Sequence, residues 1–218
     1  MEDIVIRSLC KAFDGKPALQ GFSATLPAGR VSCIMAPSGG GKTTLLRILL
    51  GLEAADSGEI CGLAGLRLSA VFQEDRLLEN LSPVANIRLV NPRRPRGEVL
   101  AALAAVRLSG CADQPARELS GGMRRRVAIL RALLAEWDVL LLDEPFKGLD
   151  EETKACVLAF VRRAVEGRTA VLVTHDAAEA RALGAAQILT LYGQAPRRAP
   201  RGLFFCARCG TIQVVSYN

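Results

Sequence analysis

With 218 residues, half of them hydrophobic and 23% charged, the chain has the composition of one substantial globular domain with room for an inserted subdomain. That balance excludes a wholly disordered protein, and no uninterrupted apolar run approaches the ~18–20 residues needed to cross a bilayer. The net charge of +6 raises nucleic acid as a partner, but the excess is scattered over "NPRRPR" (91–96), "MRRRVAILR" (123–131) and "PRRAPR" (196–201). Such runs read as loop, solvated helix face and tail, so no nucleic acid is expected.

In chain order, "IVIRSLC", "ALQGFSATL" and "RVSCIMA" are short apolar stretches broken by "DGKP" and "PAGR", which predicts strands joined by tight turns. "KTTLLRILLGL" carries apolar residues at helical spacing and stops at Gly51, a C-cap residue. "GEICG" and "LRLSAVFQ" predict two more strands. From about 76 to 135 the chain turns rich in Leu, Ala and Arg, with helices expected near 83–90, near 96–108 and from Gly121 onward. "DVLLLDEP" returns to strand, and "EETKACVLAFVRRAVEG", "RTAVLVTHD", "AAEARALG" and "AAQILTLYG" then alternate helix and strand. Alternation of this kind, with continuously apolar strands, predicts a parallel sheet covered on both faces. After about Gly193 the pattern dissolves into a basic, cysteine-containing tail, 196–218, that selects no single structure.

The opening "MEDIVIRSLC" lacks the basic-then-apolar layout of a signal peptide, so an intracellular protein, soluble when alone, is expected. Seven cysteines, odd in number and mostly isolated in apolar surroundings, fit buried thiols in a reducing compartment. Cys206 and Cys209 form a C-x-x-C, but no second pair or nearby His completes a four-ligand site, so no zinc is expected.

Three stretches carry chemistry. In "APSGGGKTT" (36–44) a strand leads through consecutive glycines into a helix. Glycines at 39, 40 and 41 let backbone N–H groups approach an anion, and the helix N-terminus adds partial positive charge. Lys42 is placed to reach β- and γ-phosphates, and the Thr43 hydroxyl to ligate Mg²⁺. The opening glycine of this pattern is replaced by Ala36, so a glycine-rich turn with a surface lysine remains the alternative for this stretch taken alone. "VLLLDEP" (139–145) delivers two adjacent carboxylates at the C-terminal end of an apolar strand, where open α/β sheets bind ligands. Successive strand residues face opposite sides, which gives Asp143 a place in the Mg²⁺ shell and Glu144 that of a general base. "ELSGGMRRR" (118–126) opens a helix with Ser120, Gly121 and Gly122, a second helix end with free N–H groups; a plain Ser N-cap is the alternative.

Together "APSGGGKTT", "LSGGM", "VLLLDEP", "GLD" (148–150) and "VTHD" resemble, in order and spacing, the nucleotide-binding subunit of ATP-binding cassette (ABC) transporters over roughly residues 2–195. The resemblance implies an α/β P-loop NTPase fold: a mostly parallel core sheet, an N-terminal antiparallel β part and a helical subdomain inserted at about 76–135. It implies ATP and Mg²⁺ as ligands. ATP then lies on Ser38, Gly39, Gly40, Gly41, Lys42, Thr43, Thr44 and Gln73, and Thr43, Gln73 and Asp143 hold the metal. Phe13 is similar to the aromatic that stacks on adenine, with a core phenylalanine as the alternative. Glu144, His175 and Lys42 take the catalytic roles, Gln73 senses the membrane partner, Ser120, Gly121 and Gly122 bind ATP held by the other subunit, and Asp150 crosses that interface.

The same resemblance implies a head-to-tail dimer, a homodimer or one with a paired ATPase subunit, that powers membrane permease subunits, docked through about 76–118, from the inner face of the cell membrane. "VFQEDRLLENLSPVANI" and "DEPFKGLD" look most like the ATPases of nitrate, sulfonate and taurine importers, which work with a solute-binding protein. An exporter ATPase, or a soluble ABC ATPase acting on nucleic acid, remains the alternative. Two positions depart from the family pattern. Ala36 is expected to be the last strand residue, outside the phosphate nest, and Met123 stands where Gln or Glu usually follows the signature.

Overall fold

The computed structural model describes residues 1–37 and 39–191, together with two short strands at 204–206 and 211–214. The chain opens with a hairpin of β1 (Ile4–Phe13) and β2 (Lys16–Leu26), which β4 (Ser57–Cys61) joins in a three-stranded antiparallel sheet of order β2-β1-β4. Asp14 and Gly15, both with positive φ, form the two-residue hairpin turn, the arrangement whose twist matches that of paired strands. The sheet is interrupted between the hairpin and β4 by β3 (Val31–Met35) and helix α1 (Lys42–Leu49). Helix α1 ends where its sequence indicates. Gly51 takes φ 68° and donates to Ile48 O, while Leu52 N–H reaches back to Arg47 O at 2.9 Å, the paired bonds of a Schellman stop.

The second sheet holds β5 (Leu68–Val71), β6 (Val139–Asp143), β7 (Thr169–Val173), β3 and β8 (Gln187–Thr190), all parallel and in that order. Within 196–218, read from sequence as a tail, β9 (Phe204–Cys206) and β10 (Thr211–Val214) extend this sheet antiparallel beyond β8. The C-x-x-C cannot be placed as a unit, because Cys209 lies outside the described residues.

The unbroken apolar runs of the central strands have a direct cause, since both sheet faces are covered. Leu140, Leu142, Ala170, Leu172 and Cys33 point into one core; Val139, Leu141, Val171, Val173 and Ile34 point into the other. Side chains alternate along a strand, so a strand buried on both faces has no polar side left. The second core lies under α1 and the antiparallel sheet. The first lies under the helical part and α5 (Glu151–Val165). At roughly 25 cal/mol per Å² of apolar surface removed from water, burial on this scale is the main stabilising term.

The helical part comprises α2 (Pro83–Arg88), α3 (Arg96–Ala105), a 3-10 turn (Ala116–Glu118) and α4 (Gly121–Leu133); α6 (Ala177–Ala182) follows β7. Ser82 caps α2 by accepting from Ala85 N–H, with Pro83 at its first turn. Asn86 is fully buried there. Its Oδ1 accepts from Leu78 N–H at 2.9 Å, and its amide donates to the carbonyls of Leu78, Leu81 and Ser82. One side chain thereby satisfies a loop that has no ladder to pair with. Asn86→Ala leaves these groups buried and unpaired, which costs ~1–3 kcal/mol; urea denaturation of the variant should show that loss.

Candidate functional site

Parallel strands end on the same edge of their sheet, and four of them place chemistry there. The C-terminal ends of β5, β6, β7 and β3 lie side by side, with Val71 beside Leu142, Asp143 beside Val173, and Val173 beside Ile34. The loops that follow carry Gln73, Glu144, His175, Ala36, Pro37 and the glycines at 39–41, which line one cleft of about 480 Å³. Of the residues singled out from sequence, Gly39, Gly40, Gly41, Lys42, Thr43, Thr44, Gln73, Asp143, Glu144 and His175 meet there. Ser38 lies outside the described residues.

The glycine run is shaped for an anion. Gly41 takes φ 83° as the N-cap of α1, and a Cβ on it would sit 2.2 Å from Ala18 O, so no other residue fits between α1 and β2. Helices α2, α4, α5 and α6 begin with Ser82, Ser120, Asp150 and Asp176, each accepting a bond from its own first turn; α1 has no such side-chain cap. Its first N–H groups face the cleft without a side-chain acceptor, the condition for binding phosphate. Lys42 Nζ donates to Ala36 O at 2.6 Å and Pro37 O at 3.2 Å, a cation parked on carbonyls beside that helix end.

Asp143 and Glu144 diverge, but alternation along a strand is not the cause. The strand ends at Asp143, which is 3% exposed and accepts from the Thr43 hydroxyl at 3.0 Å. Glu144 turns out of the strand into a left-handed backbone, φ 44°, and its N–H donates to Val173 O at 2.9 Å. Side-chain residues seldom adopt that conformation, and it is held here by the ladder. Burial pushes the Asp143 carboxyl up, against the pull of the Thr43 hydroxyl and with the help of the Glu144 charge. Three groups converge on the Glu144 carboxylate: Lys42 at 3.9 Å, Lys147 at 3.5 Å and His175 Nδ1 at 3.7 Å. Lys147, which the sequence reading passed over, stands three residues after Glu144 in "DEPFKGLD" and lines the cleft.

The arginine run at 123–131 is not the solvated face expected from its composition. Arg125 is 4% exposed. Its guanidinium donates to the carbonyls of Phe72 and Gln73 after β5, of Asp143 and Glu144 at the end of β6, and of Pro145, and it lies 3.3 Å from Asp75. Arg126 donates to Gly122, Val106 and Arg107 carbonyls, and Arg131 to those of Asp75 and Arg76. Most of these acceptors are carbonyls of the loops after β5, β6 and α3, a need that is invisible in one dimension.

Five predicted positions stand apart from the cleft. Phe13 is 44% exposed at the hairpin end, which removes the core alternative, and Lys11 Nζ lies 5.2 Å from its ring. Ser120, exposed like Gly121, caps α4 by accepting from Met123 N–H at 3.3 Å; its hydroxyl proton stays available. Asp150 caps α5 through Thr153 N–H at 2.9 Å, a bond that holds its carboxyl below the ordinary range. None of Phe13, Ser120, Gly121, Gly122 and Asp150 lines the cleft.

Ala36 is not the last strand residue expected from sequence: it lies one residue beyond β3 and lines the cleft, but its methyl is in the core and its backbone lacks the positive φ found at Glu144. Ala36→Gly should therefore change ATP turnover less than threefold, roughly 0.6 kcal/mol, as read in a steady-state assay. Arg125→Ala should cost ~3 kcal/mol or more in urea denaturation, because it orphans several buried carbonyls at once. Arg125→Lys, which keeps the charge but not the fork, should recover only part of that loss.

Comparison with known proteins gives a consistent result. The family model described as ABC transporter matches residues 19–147. The aliphatic sulfonates import ATP-binding protein SsuB 1 of Nocardia farcinica is 46% identical over 182 residues, a match spanning 81% of this chain and 73% of that protein. The sulfate/thiosulfate import ATP-binding protein CysA of Methylococcus capsulatus is 40% identical over 198 residues, with 81% of this chain matched. The chain spans only 57% of the length of that relative. The solved dimeric structure of MJ0796, a bacterial ABC transporter cassette, superposes with a TM-score of 0.77 at 28% identity, over 87% of this chain and 94% of that one. By the family match and the extent of these identities, the chain belongs to the ABC transporter family.

Proposed function

We propose that this chain is the ATP-hydrolysing subunit of an importer for a small anionic solute, acting as a head-to-tail dimer beneath membrane permease subunits. One observation carries the reading. The cleft gathers a phosphate loop, Lys42, the Thr43–Asp143 pair, Glu144 and His175, while Ser120, Gly121, Gly122 and Asp150 lie outside it. A second anion-binding helix end that cannot serve its own chain's cleft suits a partner's cleft, and a two-fold axis supplies two such composite sites. MJ0796, the similar cassette, has been solved as a dimer.

The roles follow from the residues' positions. The uncapped start of α1 and the Gly39–Gly41 backbone bind the phosphate oxygens of ATP. Lys42 exchanges the carbonyls of Ala36 and Pro37 for phosphate oxygens. Thr43, Asp143 and Gln73 form an all-oxygen donor set that fits a hard cation. Mg²⁺, when bound there, would supply positive charge to offset that of the phosphates. Glu144 takes a proton from the attacking water, and His175, 3.7 Å from it, orients that water toward the phosphate. Ser120 and the two glycines after it complete the site across the dimer, so loss of the terminal phosphate removes the anion that joins the subunits. Phe13, exposed on the hairpin whose Ala18 walls the cleft, stacks on adenine.

No helix among the described residues is long and apolar enough to cross a membrane, which suits a subunit held at the inner face of the membrane by its permease. Leu78, Leu89 and Val90 are exposed around α2 and supply apolar surface for that docking. The named activities of the SsuB and CysA relatives, sulfonate and sulfate import, support a small anion as the solute and a solute-binding protein as a further partner.

Lys42→Ala should abolish Mg²⁺-dependent phosphate release. Glu144→Gln should bind ATP, turn over at least ~10²-fold more slowly and accumulate as a dimer in size-exclusion chromatography. A Glu144→Gln protein that stays monomeric at saturating ATP would sink the composite-site reading.

A further inference from the structure

Helix α5 starts beside the Asp150 loop, and its first turn contains an anomaly. Lys154 sits there, at the positive end of the helix dipole, where acidic residues such as Glu151 and Glu152 belong. Its side chain is largely buried and turns away from the helix toward the loop after β7. Nζ lies 3.0 Å from Asp176 Oδ2 and 2.8 Å from Glu179 Oε1. Glu179, also buried, accepts from the Thr174 hydroxyl through its other oxygen, and the same hydroxyl accepts from Asp176 N–H at 3.1 Å. Asp176 in turn caps α6 through Ala178 N–H at 2.7 Å. The Lys154 ammonium is the first cause that holds the Asp176 carboxyl below its ordinary range.

These contacts leave one residue free between two anchored ones. Thr174 and Asp176 flank His175, and both are tied to Lys154, one directly and one through Glu179. The His175 side chain is 68% exposed and faces Glu144. We infer that Lys154 is a positioning residue: its ammonium fixes the backbone on either side of His175 and so registers that imidazole against Glu144 and against the Asp150 end of α5. The inference rests on the proposed role of His175 in turnover. Buried charges in this geometry are costly to break but hold a loop in one arrangement. They also make α5 the rigid link between the dimer-facing Asp150 and the reacting centre.

The test uses the full chain with Mg²⁺ and ATP. Lys154→Met, which keeps the stem and removes the charge, should lower kcat at least tenfold while KM for ATP stays within twofold. Lys154→Arg should restore kcat to within threefold of the native value. The double variant Lys154→Met/His175→Ala should be no slower than His175→Ala alone, because both changes remove one function. His175 is the sole histidine, so in tag-free protein its imidazole gives a single set of NMR signals. Those signals should shift or broaden in Lys154→Met and return in Lys154→Arg, a readout independent of turnover. A Lys154→Met enzyme with kcat within twofold of native, beside an impaired His175→Ala, would overturn the positioning role alone. Losses that multiply in the double variant, or an unmoved imidazole signal, would do the same. Native turnover in His175→Ala would instead remove the His175 reading on which the inference rests.

Discussion

The guanidinium of Arg125 is the point at which the two halves of the cleft are held together. From helix α4 it reaches the carbonyls after β5 and those at the end of β6, so Gln73 and Glu144 keep a fixed separation although seventy residues of chain lie between them. Burial lowers the pKa of that guanidinium, with Asp75 as the nearest opposing charge. Several carbonyl dipoles make up the remainder, each stronger in a low-dielectric interior than in water. A lysine could not serve, because its single ammonium cannot fork toward two strand ends. The same residue belongs to the helix that Ser120 opens, which ties that outward-facing helix end to the cleft without joining them.

The helix ends of the domain differ in how their first N–H groups are met. Helices α2, α4, α5 and α6 each spend an Asp or Ser side chain on their own first turn, whereas α1 leaves that position to glycine. The free N–H groups are left for a ligand, and Lys42 waits on backbone carbonyls close by. Polar side chains elsewhere are committed. The arginines of α4 close loop carbonyls, Asn86 holds the turn before α2, and Lys154 holds the flanks of His175. Specificity of shape in the loops thus comes from a few buried, fully partnered polar groups placed between two apolar cores.

Much of this architecture was legible beforehand, for reasons particular to each element. The central strands were readable because burial on both faces removes polar residues from them, and the hairpin because Asp14 and Gly15 are a turn pair. Helix α1 was readable to within two residues at its end because Gly51 is the stop that a Schellman motif needs. Arg125 was misread because composition counts charge and cannot see which carbonyls lack partners. The divergence of Asp143 and Glu144 was anticipated for the wrong reason, since the strand stops one residue earlier than alternation requires. Lys147 and Lys154 went unnoticed because an isolated lysine carries no periodic signal.

Local sequence by itself determined the elements and the chemistry they carry: a glycine-rich strand-to-helix junction, adjacent carboxylates at a strand end, a capped helix with two glycines, and one histidine after an apolar strand. These are set by backbone geometry and by hydrogen-bonding needs within a few residues. Tertiary structure decided which of them meet. Parallel pairing of β5, β6, β7 and β3 puts their C-terminal ends on one edge, so residues 37, 73, 143 and 175 share a cleft. The packing of α4 and α5 against the sheet turns Ser120 and Asp150 away from it. Spacing along a chain does not encode that division, because it arises from long-range strand order and from buried cations whose partners lie up to some fifty residues away.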